Sequence, residues 1–227
     1  MNIRERLQAL ASSALKKQNV EDLVAEIDRL KKLPVRNVVD ARIRTFQRLK
    51  ECGDGEKFSE LCFCILTANS SARLGMKIQQ VLGEDFLRLP EGDLAERLKR
   101  LGHRYYNKRA EFIIKARRFK NIGAILSRFS SSAEARAWLA RNVQGLGFKE
   151  ASHFLRNLGY LDLAILDRHI RRLMEQYGLT EGTPKTLTAK TYLELEKRLK
   201  KVAERVGMPV GQLDLYLWYV KTGEVLK

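Results

Sequence analysis

The sequence predicts an all-α fold built from two helical lobes, and two observations carry that prediction. Apolar residues recur three and four positions apart along most of the 227 residues, the spacing that places them on one face of a helix. No segment shows the period-two alternation that indicates a strand. Because 44% of the residues are hydrophobic, the chain can also bury a core of ordinary size.

Polar and glycine-containing breaks divide this helical periodicity into segments. The helices predicted from it span residues 3–17, 21–33, 35–50, 58–66, 73–82, 94–101, 108–129 with a break near residues 121–123, 133–143, a helix from about residue 148, 170–177, 192–206 and 212–221. The run at residues 58–66 is nearly continuous in apolar residues, so we expect its helix to be the most buried one.

A polar stretch at residues 67–72 follows that buried helix and offers capping groups for the next one. Ser70 and Ser71 are the natural caps. Asn69 is either a cap as well, which the sequence alone favours, or an amide that the buried helix places against DNA bases.

The charge balance points to a polyanionic partner. The chain has 43 Lys and Arg residues against 27 Asp and Glu residues, a net charge of +16, and the excess is spread along the chain. A solvated surface without such a partner usually needs a smaller excess of one sign. Nucleic acid is therefore the first candidate partner.

The cysteine content indicates a reduced compartment. Only Cys52, Cys62 and Cys64 occur, an odd count that does not suggest a disulfide framework. No histidine lies near them at ligand spacing, so we expect no metal site and treat Cys62 and Cys64 as core residues. No apolar run approaches the length of a membrane span, so we expect a soluble protein that is not exported.

Two glycines one residue apart form the most informative turn in the chain. Gly145 and Gly147 flank Leu146, and helical periodicity lies on both sides, which predicts a helix, a tight hairpin and a second helix. We expect that few residues other than glycine could fill either position. The second helix begins at about Phe148, so its unpaired amides and positive dipole end suit a DNA phosphate.

Lys149 and Asp167 are the candidate catalytic pair. An amine in the first turn of that second helix, in a basic protein, should have its charged form disfavoured, which makes Lys149 a usable nucleophile. Asp167 stands at the start of a later helix, where its carboxylate could stabilise positive charge on a sugar during cleavage of a glycosidic bond. The alternatives are a surface lysine and a carboxylate that only caps its helix.

A second candidate DNA contact follows Gly102. Tyr105 and Tyr106 are flanked by Arg104, Lys108 and other basic residues, so they could enter a duplex and stack on bases. The alternative is that the tyrosine pair simply begins a helix.

Residues 143–151, with the sequence VQGLGFKEA, and residues 167–169, with the sequence DRH, resemble the motif of the helix-hairpin-helix DNA glycosylase superfamily. The resemblance implies bifunctional enzymes in which the hairpin lysine attacks C1′ of a damaged nucleotide and the aspartate assists departure of the base. A Schiff base then permits β-elimination at the abasic site. By this resemblance Lys149 is the nucleophile and Asp167 the essential carboxylate.

Within the superfamily, the chain is most similar to a compact 8-oxoguanine glycosylase/lyase family of archaea and some bacteria. The endonuclease III branch carries a cysteine-ligated iron–sulfur cluster, and no cysteine follows Cys64 here. The family implies that Trp218 lines the base pocket and that the terminal carboxylate of Lys227 reads the oxidised base. Without the resemblance, Trp218 would be a core aromatic and Lys227 a frayed terminus.

The chemistry of the lesion agrees with these assignments. 8-Oxoguanine carries a proton on N7 where guanine has a lone pair, so an acceptor there prefers the lesion. Trp218 would stack on the flipped base, and Asp214, one helical turn earlier, is a further acceptor candidate. The resemblance also implies that Arg104 and Tyr105 fill the space left by the flipped nucleotide and that Asn69 contacts DNA, whereas His169 is structural or contacts a phosphate.

The resemblance further implies an active site in the cleft between the lobes. We assign residues 1–66 with 175–227 to a terminal lobe and residues 67–174, with the helix-hairpin-helix at 143–158, to a central lobe. The expected function is excision of 8-oxoguanine from double-stranded DNA with cleavage of the abasic site, without a metal or cofactor. We expect a cytoplasmic, nucleoid-associated monomer of a prokaryote.

Two other functions stay open at this point. One keeps the lysine chemistry but removes oxidised pyrimidines. The other is a non-enzymatic helix-hairpin-helix module that binds the DNA backbone, which would need the two glycines but not the Lys149 and Asp167 pair.

Overall fold

A computed structural model describes residues 18–182 and 187–227, and within these ranges it contains helices and no strand. The all-α prediction is confirmed. The helices are α1 (Val20–Leu30), α2 (Val35–Glu51), α3 (Asp54–Thr67), α4 (Ala72–Leu82), α5 (Asp85–Arg88), α6 (Glu91–Arg100), α7 (Tyr106–Ala116), α8 (Ile122–Leu126), α9 (Ser132–Asn142), α10 (Phe148–Asn157), α11 (Arg168–Gln176), α12 (Ala189–Arg205) and α13 (Val210–Thr222). The helix predicted at residues 3–17 lies outside the described residues.

Side-chain caps fix several helix starts. The Ser71 hydroxyl accepts a hydrogen bond from the Leu74 amide at the start of α4, which confirms a cap in the polar stretch. Asn69 does not cap α4, because Ser71 is the N-cap of that helix and Asn69 lies in the turn before it with a φ of +57°. Asparagine tolerates this left-handed conformation better than most residues do, so the cap interpretation of Asn69 is wrong and its contact with DNA stays a prediction.

The apolar residues form two hydrophobic clusters, as the two-lobe fold requires. The central cluster runs from Phe58 to Leu163, and the other combines α1 and α2 with residues that follow Ala164. Helix α3 is fully buried from Leu61 to Leu66, which confirms that it is the most buried helix expected from the sequence. The chain passes from one cluster to the other between residues 46 and 58 and again at residues 163–164. The lobe boundaries expected from the sequence, 66/67 and 174/175, stay a prediction.

Helix α10 joins the two clusters. It contacts α9 and α3 in the central cluster and α2 in the other one. The first turn of α13 docks directly behind it, where the Gly211 amide donates a hydrogen bond to the Leu161 carbonyl over 2.8 Å. A Cβ on Gly211 would lie 3.0 Å from Arg156 Cγ and from Leu161 Cα. This close approach sets the spacing between α10 and α13.

The hairpin between α9 and α10 needs glycine at one of its two positions. Gly145 has a φ of +94°, and a Cβ there would lie 2.5 Å from Phe112 Cδ2. Gly147 is different, because its backbone is extended (φ −94°, ψ −172°) and a Cβ would meet Glu150 Oε2 at an ordinary 3.4 Å. The expectation that both positions require glycine is therefore wrong for the fold at Gly147.

We predict that Gly145→Ala destabilises the protein by about 1–3 kcal/mol, since it combines left-handed strain with a contact on the Phe112 ring. Gly147→Ala, the matched control, should change the unfolding free energy by less than about 0.5 kcal/mol. Urea unfolding of the two variants measures the difference. Equal losses would contradict the assignment of the strained position to Gly145.

Candidate active site

A cavity of about 90 Å³ is lined by α10, α13, the N-terminus of α11 and the last residues of the chain. Its walls combine apolar groups with polar side chains from distant parts of the sequence. The polar and aromatic members of the lining are Thr67, Ser70, Lys149, His153, Arg156, Asp167, Asp214, Trp218 and Lys227. The fold thus brings both candidate catalytic residues and all three candidate base-recognition residues to one cavity.

Lys149 enters the cavity from the first turn of α10. Its side chain is 25% exposed, and Nζ lies 3.8 Å from Glu150 Oε1. The other oxygen of Glu150 accepts a hydrogen bond from the Gly147 amide over 3.2 Å. The carboxylate of Glu150 therefore satisfies one free amide of the hairpin and stands near the amine without enclosing it.

Asp167 reaches the cavity from the N-terminus of α11. Its Oδ1 accepts a hydrogen bond from the Ile170 amide over 2.8 Å, so the carboxylate caps the helix as the sequence predicts. The cap does not exclude a second role, because the same side chain lines the cavity opposite α10. Capping fixes the carboxylate in one orientation toward the space that it shares with Lys149.

Trp218 forms a wall of the cavity and packs against His169. The two rings meet edge to face, with centroids 5.2 Å apart and an interplanar angle of 85°. This contact gives His169 a structural role in holding the indole, while its contact with a phosphate stays a prediction. The buried indole Nε1 has no hydrogen-bond partner among the described residues.

Asp214 is held by Arg156 in the wall of the cavity. Its Oδ2 accepts a hydrogen bond from Arg156 Nη1 over 3.1 Å, and the arginine side chain is almost fully buried. Burial raises the pKa of Asp214 to about 6. Arg156 and Lys149 oppose this rise, whereas the charge of Asp167 adds to it. Its availability as an acceptor for a base stays a prediction, since Arg156 already occupies one oxygen.

The last residues fold back into the cavity rather than fray. Lys227 Nζ donates hydrogen bonds to Glu60 Oε2 over 2.6 Å and to Gln79 Oε1 over 2.5 Å. The same nitrogen lies 4.2 Å from the centroid of the Phe63 ring. The side chain of Lys227 thus anchors the tail on α3 and α4, and the alternative of a frayed end is wrong.

Arg104, Tyr105 and Asn69 lie on exposed turns outside the cavity lining. The Arg104 guanidinium stacks on the Tyr105 ring at 4.6 Å and donates a hydrogen bond to its hydroxyl over 2.7 Å. Buried His103 joins the turn of Tyr105 to the end of α3, three residues before Asn69, because its Nε2 bonds to the Leu66 carbonyl while its Nδ1 accepts from the Tyr105 amide. The three candidate DNA contacts therefore belong to one supported surface, although their role stays a prediction.

Comparison with known proteins decides the family. Residues 39–208, more than half of the chain, match the family model described as 8-oxoguanine DNA glycosylase. The chain belongs to the 8-oxoguanine DNA glycosylase family.

Relatives in this family align over nearly their whole length. A Methanocaldococcus jannaschii protein named 8-oxoguanine DNA glycosylase/AP lyase is 49% identical over 205 residues, which cover 90% of this chain and 99% of the relative. A protein of the same name from Thermotoga maritima is 46% identical over 210 residues, or 92% of this chain and 100% of the relative.

Solved structures agree with the family. The M. jannaschii enzyme in complex with a 15mer DNA containing 8-oxoguanine has a TM-score of 0.89 at 49% identity, covering 90% of this chain and 99% of that chain. An endonuclease III–DNA complex has a TM-score of 0.52 at 18% identity and covers 82% of this chain and 83% of the other. The second likeness concerns the fold alone.

Sequence reasoning missed three groups in or behind the cavity of this family member, of which His153 and Arg156 line it. His153 is buried, and its ring meets Phe63 edge to face at 5.5 Å. Burial, with the positive charges of Arg156, Lys149 and Lys227, lowers the pKa of His153 well below its usual value, so the ring is neutral. Its place four residues after Lys149, on the same helix face, was the available signal.

Arg156 and Glu60 are the other missed groups. Arg156 holds Asp214, and Glu60 accepts hydrogen bonds from Gln79, Asn157 and Lys227. Both residue types normally indicate a solvated helix face, so the sequence gives no signal for either. The described residues contain no cluster of His, Cys, Asp and Glu that could hold a metal ion, and no helix in the described ranges is long and apolar enough to cross a membrane.

We predict a pH-dependent stability difference between the wild type and Asp214→Asn. The folded-state pKa of Asp214, about 6, lies above its ordinary 3.8, so the folded protein binds this proton more tightly than the unfolded chain does. Stability from that proton is fully present below pH 4 and is lost as pH rises through 6. Relative to the variant, the wild type should lose on the order of 2–3 kcal/mol across this range.

Urea unfolding of both proteins between pH 4 and pH 7.5 measures this difference. A gap between the two proteins that stays constant, or that grows in favour of the wild type as pH rises, would contradict the raised pKa.

Proposed function

We propose that this protein excises 8-oxoguanine from duplex DNA and then cleaves the strand at the abasic site, with Lys149 as the nucleophile. The observation that carries the proposal is that Lys149 and Asp167, on two different helices, line one cavity together with Trp218. Membership of the 8-oxoguanine DNA glycosylase family and the names of relatives at 46–49% identity support it.

The chemistry follows from the two side chains. The nitrogen lone pair of Lys149 forms a bond to C1′ as the C1′–N9 bond breaks, and the base leaves with the electron pair of that bond and takes up a proton. The Asp167 carboxylate stabilises the positive charge that develops on the sugar during this step. Opening of the sugar ring gives a Schiff base, which allows loss of the C2′ proton and departure of the 3′ phosphate.

The cavity walls supply base recognition in this proposal. Trp218 stacks on the flipped base, held in place by its contact with His169. Asp214 and the end of the chain at Lys227 line the same cavity, where an acceptor can meet the N7 proton of the lesion. Ion pairs hold these two residues, and a ring contact holds Trp218.

The surface around the cavity serves the DNA. Arg104 and Tyr105 fill the space of the flipped nucleotide, Asn69 contacts the strand nearby, and the hairpin at Gly145 and Gly147 binds a phosphate. The net charge of +16 supports tight, salt-dependent association with the duplex. We propose that the protein acts as a monomer on nucleoid DNA.

The alternatives receive less support. The relatives that cover this chain are named for 8-oxoguanine, which does not favour oxidised pyrimidines as the substrate. A non-enzymatic backbone-binding module would need no lysine and carboxylate in one cavity, yet Lys149 and Asp167 share one.

We predict that Lys149→Gln abolishes the covalent adduct trapped by borohydride on a duplex with 8-oxoguanine, because no amine is left to form the Schiff base. Asp167→Asn keeps a capping side chain and should lower the single-turnover excision rate by about 100-fold. The control Lys197→Gln removes an exposed lysine of α12 and should trap like the wild type. A parallel duplex with an oxidised pyrimidine measures lesion choice.

Trapping by Lys149→Gln at the wild-type level would assign the nucleophile to another amine. Faster excision of the oxidised pyrimidine than of 8-oxoguanine by the wild type would replace the proposed substrate.

The position of the Lys227 carboxylate gives a further prediction. One glycine appended after Lys227 keeps the amine anchored on Glu60 but moves the free carboxylate, and it should lower 8-oxoguanine excision by about tenfold or more. Lys227→Gln, compared in parallel, keeps the carboxylate but loses the ion pair. A fully active extended protein would remove the carboxylate from base recognition.

A further inference from the structure

We propose that a buried network of Arg136, Tyr192 and Glu196 positions Asp167 relative to Lys149, which makes these three residues positioning residues for base excision. The inference rests on the proposed function. None of the three lines the cavity, and they lie on α9 and α12, away from the helices that carry the catalytic pair.

Glu196 is the centre of the network. Its two oxygens accept hydrogen bonds from Arg136 Nη1 over 2.7 Å and from Nη2 over 2.9 Å, and both side chains are at most 4% exposed. Glu196 Oε1 also accepts a hydrogen bond from the Ala164 amide over 2.8 Å. An ion pair between α9 and α12 is therefore tied to the main chain three residues before Asp167.

Tyr192, one turn before Glu196 on α12, holds the same stretch of main chain. Its hydroxyl donates to the Ala164 carbonyl over 2.7 Å and accepts from the Leu166 amide over 3.2 Å. Burial raises the pKa of Tyr192 well above its usual value, so the hydroxyl keeps the proton that it donates. Residues 164–167 are not helical, so contacts of this kind hold the segment that presents Asp167.

The other side of the network touches α10 on both sides of Lys149. The Phe148 ring meets the Tyr192 ring edge to face, with the ring centroids 5.6 Å apart. The Arg136 guanidinium lies over the Phe148 ring, 5.1 Å from its centroid. One turn later, Ser152 Oγ lies 3.3 Å from both Arg136 Nη1 and the Tyr192 hydroxyl. The residue before Lys149 and the residue three positions after it are thus packed on the groups that hold the Asp167 segment.

Stability alone does not account for this arrangement. A buried ion pair often contributes no more to stability than a well-packed apolar pair of similar volume, because both charges lose their hydration. What an apolar pair cannot provide is a hydrogen bond to the Ala164 amide. Small displacements of catalytic groups lower reaction rates steeply, so fixing the Asp167 segment against α10 has a direct consequence for excision.

Two variants test the inference. Tyr192→Phe removes only the hydroxyl, and Tyr216→Phe is its matched control, a buried tyrosine of the same hydrophobic cluster outside the network. The double variant Arg136→Met with Glu196→Leu removes both charges together and so avoids an unpaired buried charge. For each protein we would measure melting temperature, the active fraction by titration, duplex affinity and the single-turnover excision rate per active site.

We expect Tyr192→Phe and the double variant to excise 8-oxoguanine about tenfold more slowly or worse per active site, with duplex affinity within about twofold of the wild type. Tyr216→Phe should match the wild type in rate. The double variant leaves the buried Ala164 amide without an acceptor, so its melting temperature should fall by several degrees. Because the rate is measured per active site, the double variant still decides the question if Tyr192→Phe folds poorly.

Wild-type rates in either folded network variant would overturn the inference, as would an equal loss of rate in Tyr216→Phe. These results differ from failure of the proposed function, in which the wild-type protein itself would neither excise 8-oxoguanine nor form the trapped adduct.

Discussion

The pairing of buried charges holds the cleft together. Arg136 and Arg156, at 1% and 2% side-chain exposure, each need a carboxylate, because an unpaired buried charge is strongly unfavourable. Glu196 on α12 and Asp214 on α13 supply them. Both pairs join a central helix to the C-terminal part of the chain, so the width of the cleft between the two hydrophobic clusters depends on them.

The same requirement shapes the electrostatics of the cavity. Lys149, Arg156 and Lys227 surround His153, and with burial they keep its ring neutral. Burial raises the pKa of Asp214 and nearby positive charge lowers it, and the balance leaves this pKa at about 6. The cavity therefore combines positive side chains with a neutral ring and a carboxylate, a mixture suited to a polar, uncharged base.

Local sequence patterns predicted the helices and the two catalytic candidates. Each of the signals used, namely apolar periodicity, the hairpin glycine and the motif residues around Lys149 and Asp167, is contained in a short stretch of sequence. The network residues could not be found in this way. Arg136 and Glu196 are sixty positions apart, and on a helix each resembles a solvated charge until the tertiary partner is known. The same limit explains Gly147, whose extended backbone could not be inferred from its glycine neighbour at 145.

In the proposed function Lys227 has two separable roles, anchoring the tail through its side chain and reading the base through its main chain. The Lys227 amine is fixed between Glu60 and Gln79, and Glu60 is itself held by Asn157 on α10. Because this anchor removes the conformational freedom of the tail before any base arrives, a group on the Lys227 main chain could meet the base without a further ordering cost. In the proposed function, base reading would depend on Glu60, which lies on the most buried helix and does not line the cavity. The core of the central lobe would in this way be coupled to recognition in the cleft.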